Sequence, residues 1–215
     1  MSKSLFTTLI LGVIIVVSVV GYTLYQQGRV SRADLDNLNA TVFRTPRIID
    51  AFELTDHNGN AFNQDSLKGN WSFIFFGYTN CPDVCPNTLS MMNIMAITLE
   101  KNQPDKQTPR FIMVSVDPER DTVKQLSGYI PYFNNAFMGL TGTTKKQIDA
   151  IATQFGIPYF INKKSPDDKE YAVEHSGALL LVNPQGNLHS LFSAPHDPAR
   201  LISEFNLIRY FHEKN

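Results

Sequence analysis

The stretch that most constrains this chain is Trp71 to Tyr78, WSFIFFGY, together with the loop that follows it, Thr79-Asn-Cys-Pro-Asp-Val-Cys-Pro86. An apolar, aromatic run of strand length fits a strand buried on both faces. The only two cysteines of the 215 residues come next, four positions apart, and the apolar face of a helix follows over Asn87 to Lys101. Both sulfurs then sit where a strand hands over to a helix. There the unpaired backbone N–H groups and the helix dipole favour thiolate over thiol, so both cysteines are expected to be reactive. Pro82 and Pro86 bias the two cysteines away from αR and stiffen the loop.

Upstream, Leu5 to Tyr25 runs 21 residues without a charge. At ~1.5 Å per residue that is long enough for a ~30 Å hydrocarbon core, so it reads as one transmembrane helix. A cleaved signal peptide is the competing reading, but its apolar core is ordinarily ~7–15 residues. Lys3 lies before the span and Arg29 and Arg32 after it, which leaves the orientation open by charge alone. Residues 26–45 are mostly polar and read as a juxtamembrane linker. Lys3 aside, 18 Lys and Arg face 20 Asp and Glu, so no basic surface points to a nucleic-acid partner.

Residues 46–215 show no internal repeat and no linker. Asn58-Gly59, flanked by apolar residues, predicts a β-hairpin between Ile48 and Gly69. On the Asn87–Lys101 helix, Leu89, Met92, Ile94, Met95, Ile97 and Leu99 form a broad apolar face, better read as core than as thioether ligands. Phe111 to Val116 is a buried strand, and Asp121 offers the cap for a helix over Val123 to Tyr132. Ala136 to Leu140 is a short strand, and a helix capped by Thr143 or Thr144 runs to Phe155 and stops at Gly156. Ile157 to Ala172, interrupted by Pro158 and Pro166, is a loop or an inserted hairpin. Strands at Ala178 to Val182 and Leu188 to Phe192 join through Pro184-Gln185-Gly186, and a helix closes the chain from Asp197 to His212. Strands separated by helices, then a terminal hairpin and helix, give an α/β sandwich around a mixed sheet.

Three readings of the cysteine pair remain open on the residues alone. A structural disulfide is sterically possible, but a five-residue loop gains only about 2 kcal/mol from it. Thiol–disulfide exchange suits two cysteines at a helix N-terminus, although the spacing has one residue more than C-x-x-C. Metal ligation by two soft thiolates needs one or two further ligands, a histidine being the natural third. Of the five histidines, His57 and His212 read as solvated, and His189 and His196 as structural. His175 stands in a polar segment before a strand, with Glu174 and Ser176 able to orient its ring.

Gly77-Tyr-Thr-Asn-Cys-Pro-Asp-Val-Cys-Pro86, Val116-Asp-Pro-Glu-Arg-Asp-Thr122 and Tyr171-Ala-Val-Glu-His-Ser176 closely resemble the SCO/SenC family of membrane-anchored copper proteins, over about residues 45 to 210. The resemblance implies an α/β thioredoxin-like fold, a mixed sheet flanked by helices with an N-terminal β-hairpin, behind one N-terminal transmembrane helix. It divides the chain into a tail (1–4), an anchor (5–25), a linker (26–45) and a copper-binding domain (46–215). Carried over by position, it implies copper, as Cu(I) or Cu(II), bound by Cys81, Cys85 and His175, with the thioredoxin topology bringing the loop before Ala178 to the cysteines. The implied role is delivery of copper to the binuclear site of cytochrome c oxidase subunit II, or reduction of the cysteines of that site, with copper arriving from an unidentified donor. The pair is also able to close a disulfide, and that with the anchor implies a bacterial inner-membrane protein whose C-terminal domain lies in the periplasm. A thiol peroxidase shares the broad fold, but no P-x-x-x-T-x-x-C precedes Cys81. Two positions depart from the family: Asn80 where many relatives have His, and Glu174 where Asp is common. Neither removes a ligand. Asp117, Glu119 and Asp121 either shape the copper site or cap the next helix, the capping role being the ordinary one.

Overall fold

The computed structural model describes residues 11–22, 35, 37–165 and 167–214. The chain divides into two units, Met1–Asn37 and Leu38–Asn215. In the first, residues 11–22 form a helix with exposed apolar side chains. Among the described residues no helix is long and apolar enough to cross a membrane. The remainder of the 5–25 run, and residues 26–34 of the expected linker, lie outside the described residues.

The second unit is built on ten strands: β1 (Thr41–Arg47), β2 (Glu53–Asp56), β3 (Ala61–Asn63), β4 (Ser72–Gly77), β5 (Arg110–Ser115), β6 (Met138–Thr141), β7 (Tyr159–Asn162), β8 (Ala172–His175), β9 (Leu179–Val182) and β10 (Leu188–Phe192). Four α-helices accompany them: α1 (Val84–Asn102), α2 (Val123–Tyr129), α3 (Lys145–Phe155) and α4 (Pro198–Lys214). Eight strands form one mixed sheet in the order β1-β10-β9-β4-β5-β6-β2-β3, while β7 and β8 form a separate two-stranded sheet.

β4 is the axis. It pairs in parallel with β5, from Ser72 with Arg110 to Gly77 with Ser115, and antiparallel with β9. All six of its residues are buried, which is why its sequence does not alternate. Phe73 packs on Phe205 of α4 with ring centroids 5.3 Å apart, and Phe76 meets Phe155 of α3 at 5.6 Å, so the two faces of the strand belong to different helices. Each ring removed from water contributes on the order of 2 kcal/mol. The C-terminal end of β4 therefore delivers the cysteine loop from the most tightly held strand of the sheet.

Several local expectations change. β1 pairs with β10 where the polar composition of residues 26–45 suggested only a linker. The helix expected from Asn87 starts at Val84 and puts Cys85 in its first turn. Pro86 is accommodated because N–H groups there have no intrahelical partner to lose. Ile94 and Ile97, expected on the buried face of that helix, are 52% and 54% exposed, because the buried stripe runs through Leu89, Met92, Met95, Ala96 and Leu99. The helix over Val123 is capped by Thr122, whose side chain accepts from the Gln125 N–H, and not by Asp121. Thr144 caps α3 in a reciprocal box with Gln147, and Gly156 (φ 69°) ends it in the left-handed region. The polar stretch 157–172 contains β7 and leads into β8, the inserted hairpin.

Candidate metal centre

Cys81, Cys85 and His175 converge at the end of β4. Their ligand atoms, two Sγ and an imidazole nitrogen, all lie within 4.8 Å of one another. Cys85 Sγ is 3.4 Å from His175 Nε2, and the Cys85 backbone N–H donates to Cys81 Sγ at 3.4 Å. That N–H belongs to the first turn of α1 and would otherwise be an orphan; Cys81 sits just outside the helix end to receive it. Both cysteines are free thiols.

The two sulfurs are unequal. Cys81 is half-buried, whereas Cys85 is fully buried beneath it. Burial first, and then the hydrogen bond with Cys81, push the Cys85 thiol far above the ordinary range. The expectation that both cysteines be reactive thiolates therefore fails for Cys85 in the metal-free protein. Desolvation outweighs the helix end there.

His175 ends β8, and its Nδ1–H donates to the Ser176 carbonyl at 3.1 Å. A carbonyl can only accept, so Nδ1 carries the proton and Nε2 presents its lone pair to the sulfurs. Burial lowers the basicity of this ring, which keeps it neutral and available as a ligand. Phe75 and Tyr78 flank it edge-on at 5.7 and 5.8 Å. Of the two neighbours expected to orient the ring, Ser176 does so through its backbone. Glu174 does not: strand alternation turns it to the other face, where it accepts from Asn162 at 2.7 Å.

A three-coordinate ion with ~2.3 Å bonds to sulfur and ~2.0 Å to nitrogen requires donors about 3.7–4.0 Å apart. Separations of up to 4.8 Å come within small side-chain rotations of that, so two sulfurs and an imidazole fit a soft ion here.

The remaining histidines fall elsewhere. His57 is buried, not solvated: its Nδ1 accepts from the Gly139 N–H, an arrangement hidden from sequence because Gly139 is 82 residues away. His196 Nε2 bonds the Gly177 carbonyl at 2.7 Å. His189 and His212 pack around Trp71, at the opposite end of β4 from the cysteines.

Asp117 and Asp121 are both fully buried. Asp121 accepts from the Thr79 N–H (3.0 Å), the Thr79 hydroxyl (2.6 Å) and the Ser115 hydroxyl (2.6 Å), so it anchors the cysteine loop and caps no helix. Burial raises its pKa, against the lowering effect of those bonds. Asp117 accepts from the Tyr171 hydroxyl at 2.7 Å and from Arg120 Nε at 2.5 Å. Glu119 is exposed and pairs with Lys163 at 2.6 Å. Arg120 and Tyr78 were not singled out from sequence. The one signal for Arg120 was its place between two aspartates directly after a buried strand.

The profile of the SCO1/SenC family matches residues 41–208. The chain belongs to the SCO1/SenC family. Its SCO2-like relative from Rickettsia felis is 38% identical over 151 residues, 70% of this chain and 72% of that one. Among solved structures, Bradyrhizobium japonicum ScoI with copper bound is 33% identical and superposes with a TM-score of 0.63, over 76% of this chain and 99% of that one. Arabidopsis thaliana ScoI with copper bound gives 0.68 at 28% identity, over 76% and 98%. The second unit thus has the thioredoxin-like α/β fold of SCO1/SenC proteins.

Proposed function

We propose that this SCO1/SenC chain binds copper as cargo through Cys81, Cys85 and His175 and delivers it to the binuclear copper site of cytochrome c oxidase subunit II. The observation that carries the proposal is the convergence of two sulfurs and one unprotonated imidazole nitrogen within 4.8 Å, on elements 90 residues apart in the chain. Two thiolates and one imidazole suit Cu(I), and a three-coordinate ion keeps an open face through which an incoming cysteine pair can displace ligands one at a time. The copper held by the two ScoI structures supports the cargo assignment. The uncharged run Leu5 to Tyr25, helical over 11–22 with its apolar side chains exposed, supports a single-pass membrane anchor. A cysteine pair able to close a disulfide supports the second unit lying on the oxidising, periplasmic side of a bacterial inner membrane.

The test uses the reduced full chain in detergent micelles. Titration with Cu(I) against a competing chelator gives one equivalent bound, and His175→Ala weakens it at least tenfold. Copper-loaded protein mixed with the apo, reduced copper domain of subunit II transfers its ion. A His175→Ala chain that holds copper as tightly as the parent overturns the ligand set, and a loaded chain that retains its copper overturns delivery.

The asymmetry of the two sulfurs favours a second reading, thiol–disulfide exchange with the same partner. Half-buried Cys81 attacks a disulfide of the target and forms a mixed disulfide, expelling one target thiolate. Cys85 then displaces the second target sulfur and closes the Cys81–Cys85 bond. Two electrons pass to the target and the pair is oxidised. A copper-free chain that reduces the oxidised target stoichiometrically, losing both free thiols, supports this activity.

A further inference from the structure

His175 reaches the cysteines on an element that does not belong to the main sheet. β7 and β8 pair only with each other, from Tyr159 with His175 to Asn162 with Ala172. An isolated two-stranded hairpin is marginal in water, so its position depends on what packs against it and ties it down. Tyr171 and Val173 are buried and the His175 ring meets Phe75 and Tyr78. The turn Asp117 to Asp121, which follows β5, supplies polar ties.

Arg120 is the centre of these ties. Its Nε donates to Asp117 at 2.5 Å, and its Nη1 donates to the backbone carbonyls of Tyr171 (3.0 Å) and Lys169 (3.2 Å), at the entry to β8. Its guanidinium lies 3.5 Å over the Tyr171 ring and 5.7 Å from that of Tyr78. The second oxygen of Asp117 takes the Tyr171 hydroxyl. One Asp117 oxygen, the Arg120 Nη1 and one face of the guanidinium thereby converge on a single residue, Tyr171, four positions before His175, while the other Asp117 oxygen holds Arg120 itself. The planar fork of an arginine can hold a carboxylate, two carbonyls and a ring at once; a lysine cannot. In the same turn Asp121 grips Thr79, two residues before Cys81. One five-residue turn therefore grips the sulfur side of the site through Asp121 and the imidazole side through Asp117 and Arg120.

We infer that Arg120, with Asp117 and Tyr171, is a positioning device that fixes His175 against the cysteine pair and so sets copper affinity through the imidazole alone. This rests on the ligand set proposed above. Arg120 touches neither sulfur nor His175, and its effect passes through the hairpin.

A double-mutant cycle on the full chain separates this role from a general structural one. Cu(I) affinity is measured by chelator competition for the parent, Arg120→Met, His175→Ala and the pair, with Tyr171→Phe as a milder variant that removes only the hydroxyl bond to Asp117. Loss of an outer partner of a metal ligand ordinarily lowers affinity by roughly 10–100-fold, and that is the expected loss for Arg120→Met. Tyr171→Phe loses less than Arg120→Met, and Arg120→Lys recovers only part of the loss. In the His175→Ala background Arg120→Met changes affinity by less than about twofold, since no imidazole remains to be positioned. The Cu(II) form of Arg120→Met also shows weaker nitrogen coupling in its electron paramagnetic resonance spectrum. Arg120→Met and Tyr171→Phe chains that both bind copper like the parent, while His175→Ala is weakened, overturn the positioning role alone. Equal losses from Arg120→Met with and without His175 overturn it too. Parent-like binding by His175→Ala overturns the ligand set beneath it.

Discussion

Cys85 Sγ and His175 Nε2 lie 3.4 Å apart, although 90 residues of chain separate them. One is held by the first turn of α1 and the other by the last residue of β8, so their contact depends on how those two elements are placed. Changes that move either element should be read out at the site.

Gly77 ends β4, and a Cβ there would come within 2.6 Å of the Phe75 ring and 3.0 Å of Cys85 Sγ. Phe75 is fully buried and has nowhere to retreat. Gly77→Ala should cost about 1–3 kcal/mol of stability and displace Cys85 from the imidazole. Denaturant unfolding and Cu(I) titration of the same preparation would show both effects; a fully stable variant with parental affinity would contradict the packing described.

Asp121→Ala removes the acceptor for two half-buried Thr79 donors and for the fully buried Ser115 hydroxyl. Stranded buried donors cost about 1–3 kcal/mol each, so a loss on the order of 3 kcal/mol is expected, and less for the isosteric Asp121→Asn. Had Asp121 been a helix cap at the surface, Asp121→Ala would lose only about 1 kcal/mol and Asp121→Asn almost nothing, because Asn caps as well as Asp.

The inequality of the two sulfurs predicts their order of modification. In the reduced, metal-free chain, iodoacetamide should label Cys81 at least about tenfold faster than Cys85, because Cys85 is 0% exposed. Peptide mass spectrometry after timed quenching distinguishes the two sites, and equal rates would mean that the helix start opens freely.

His189 lies far from this chemistry, beside Trp71 and His212, and burial foremost, then the charge of His212, lower its pKa to about 4. The unfolded chain binds a proton at about 6.5, whereas the folded chain resists it until about 4. Over that window the unfolded state carries more protons, so stability rises with pH and is lost as pH falls from about 6.5 to 4, by up to about 3 kcal/mol. His189→Asn should flatten the profile over that range. An unchanged slope in urea melts at pH 4.5 and 7 would assign the dependence to other groups.

The strands and helices of the second unit were legible wherever the period of apolar residues matched the burial. β4, β5, β9 and β10 lie where continuous or bounded apolar runs predict them, and Gly156 stops α3 as its lack of a Cβ allows. β1 was missed because a half-exposed edge strand carries little apolar signal, and Ile94 and Ile97 were misassigned because a broad apolar face does not say which of its edges meets the sheet.

For the site, the cysteine pair was determined by sequence alone: two sulfurs one helical turn apart, with an aromatic strand before and a helix after, follow from local order. The motif resemblance also named His175. What only the tertiary structure decided was that Cys85 is buried while Cys81 is not, and that Asp121 grips Thr79 instead of capping a helix. It also decided that Arg120 ties the hairpin of His175 to the loop beyond β5. The reason is physical. Spacing along a chain specifies which groups share a turn or a face, but desolvation and long-range hydrogen bonds depend on which elements pack together, and no local pattern encodes that.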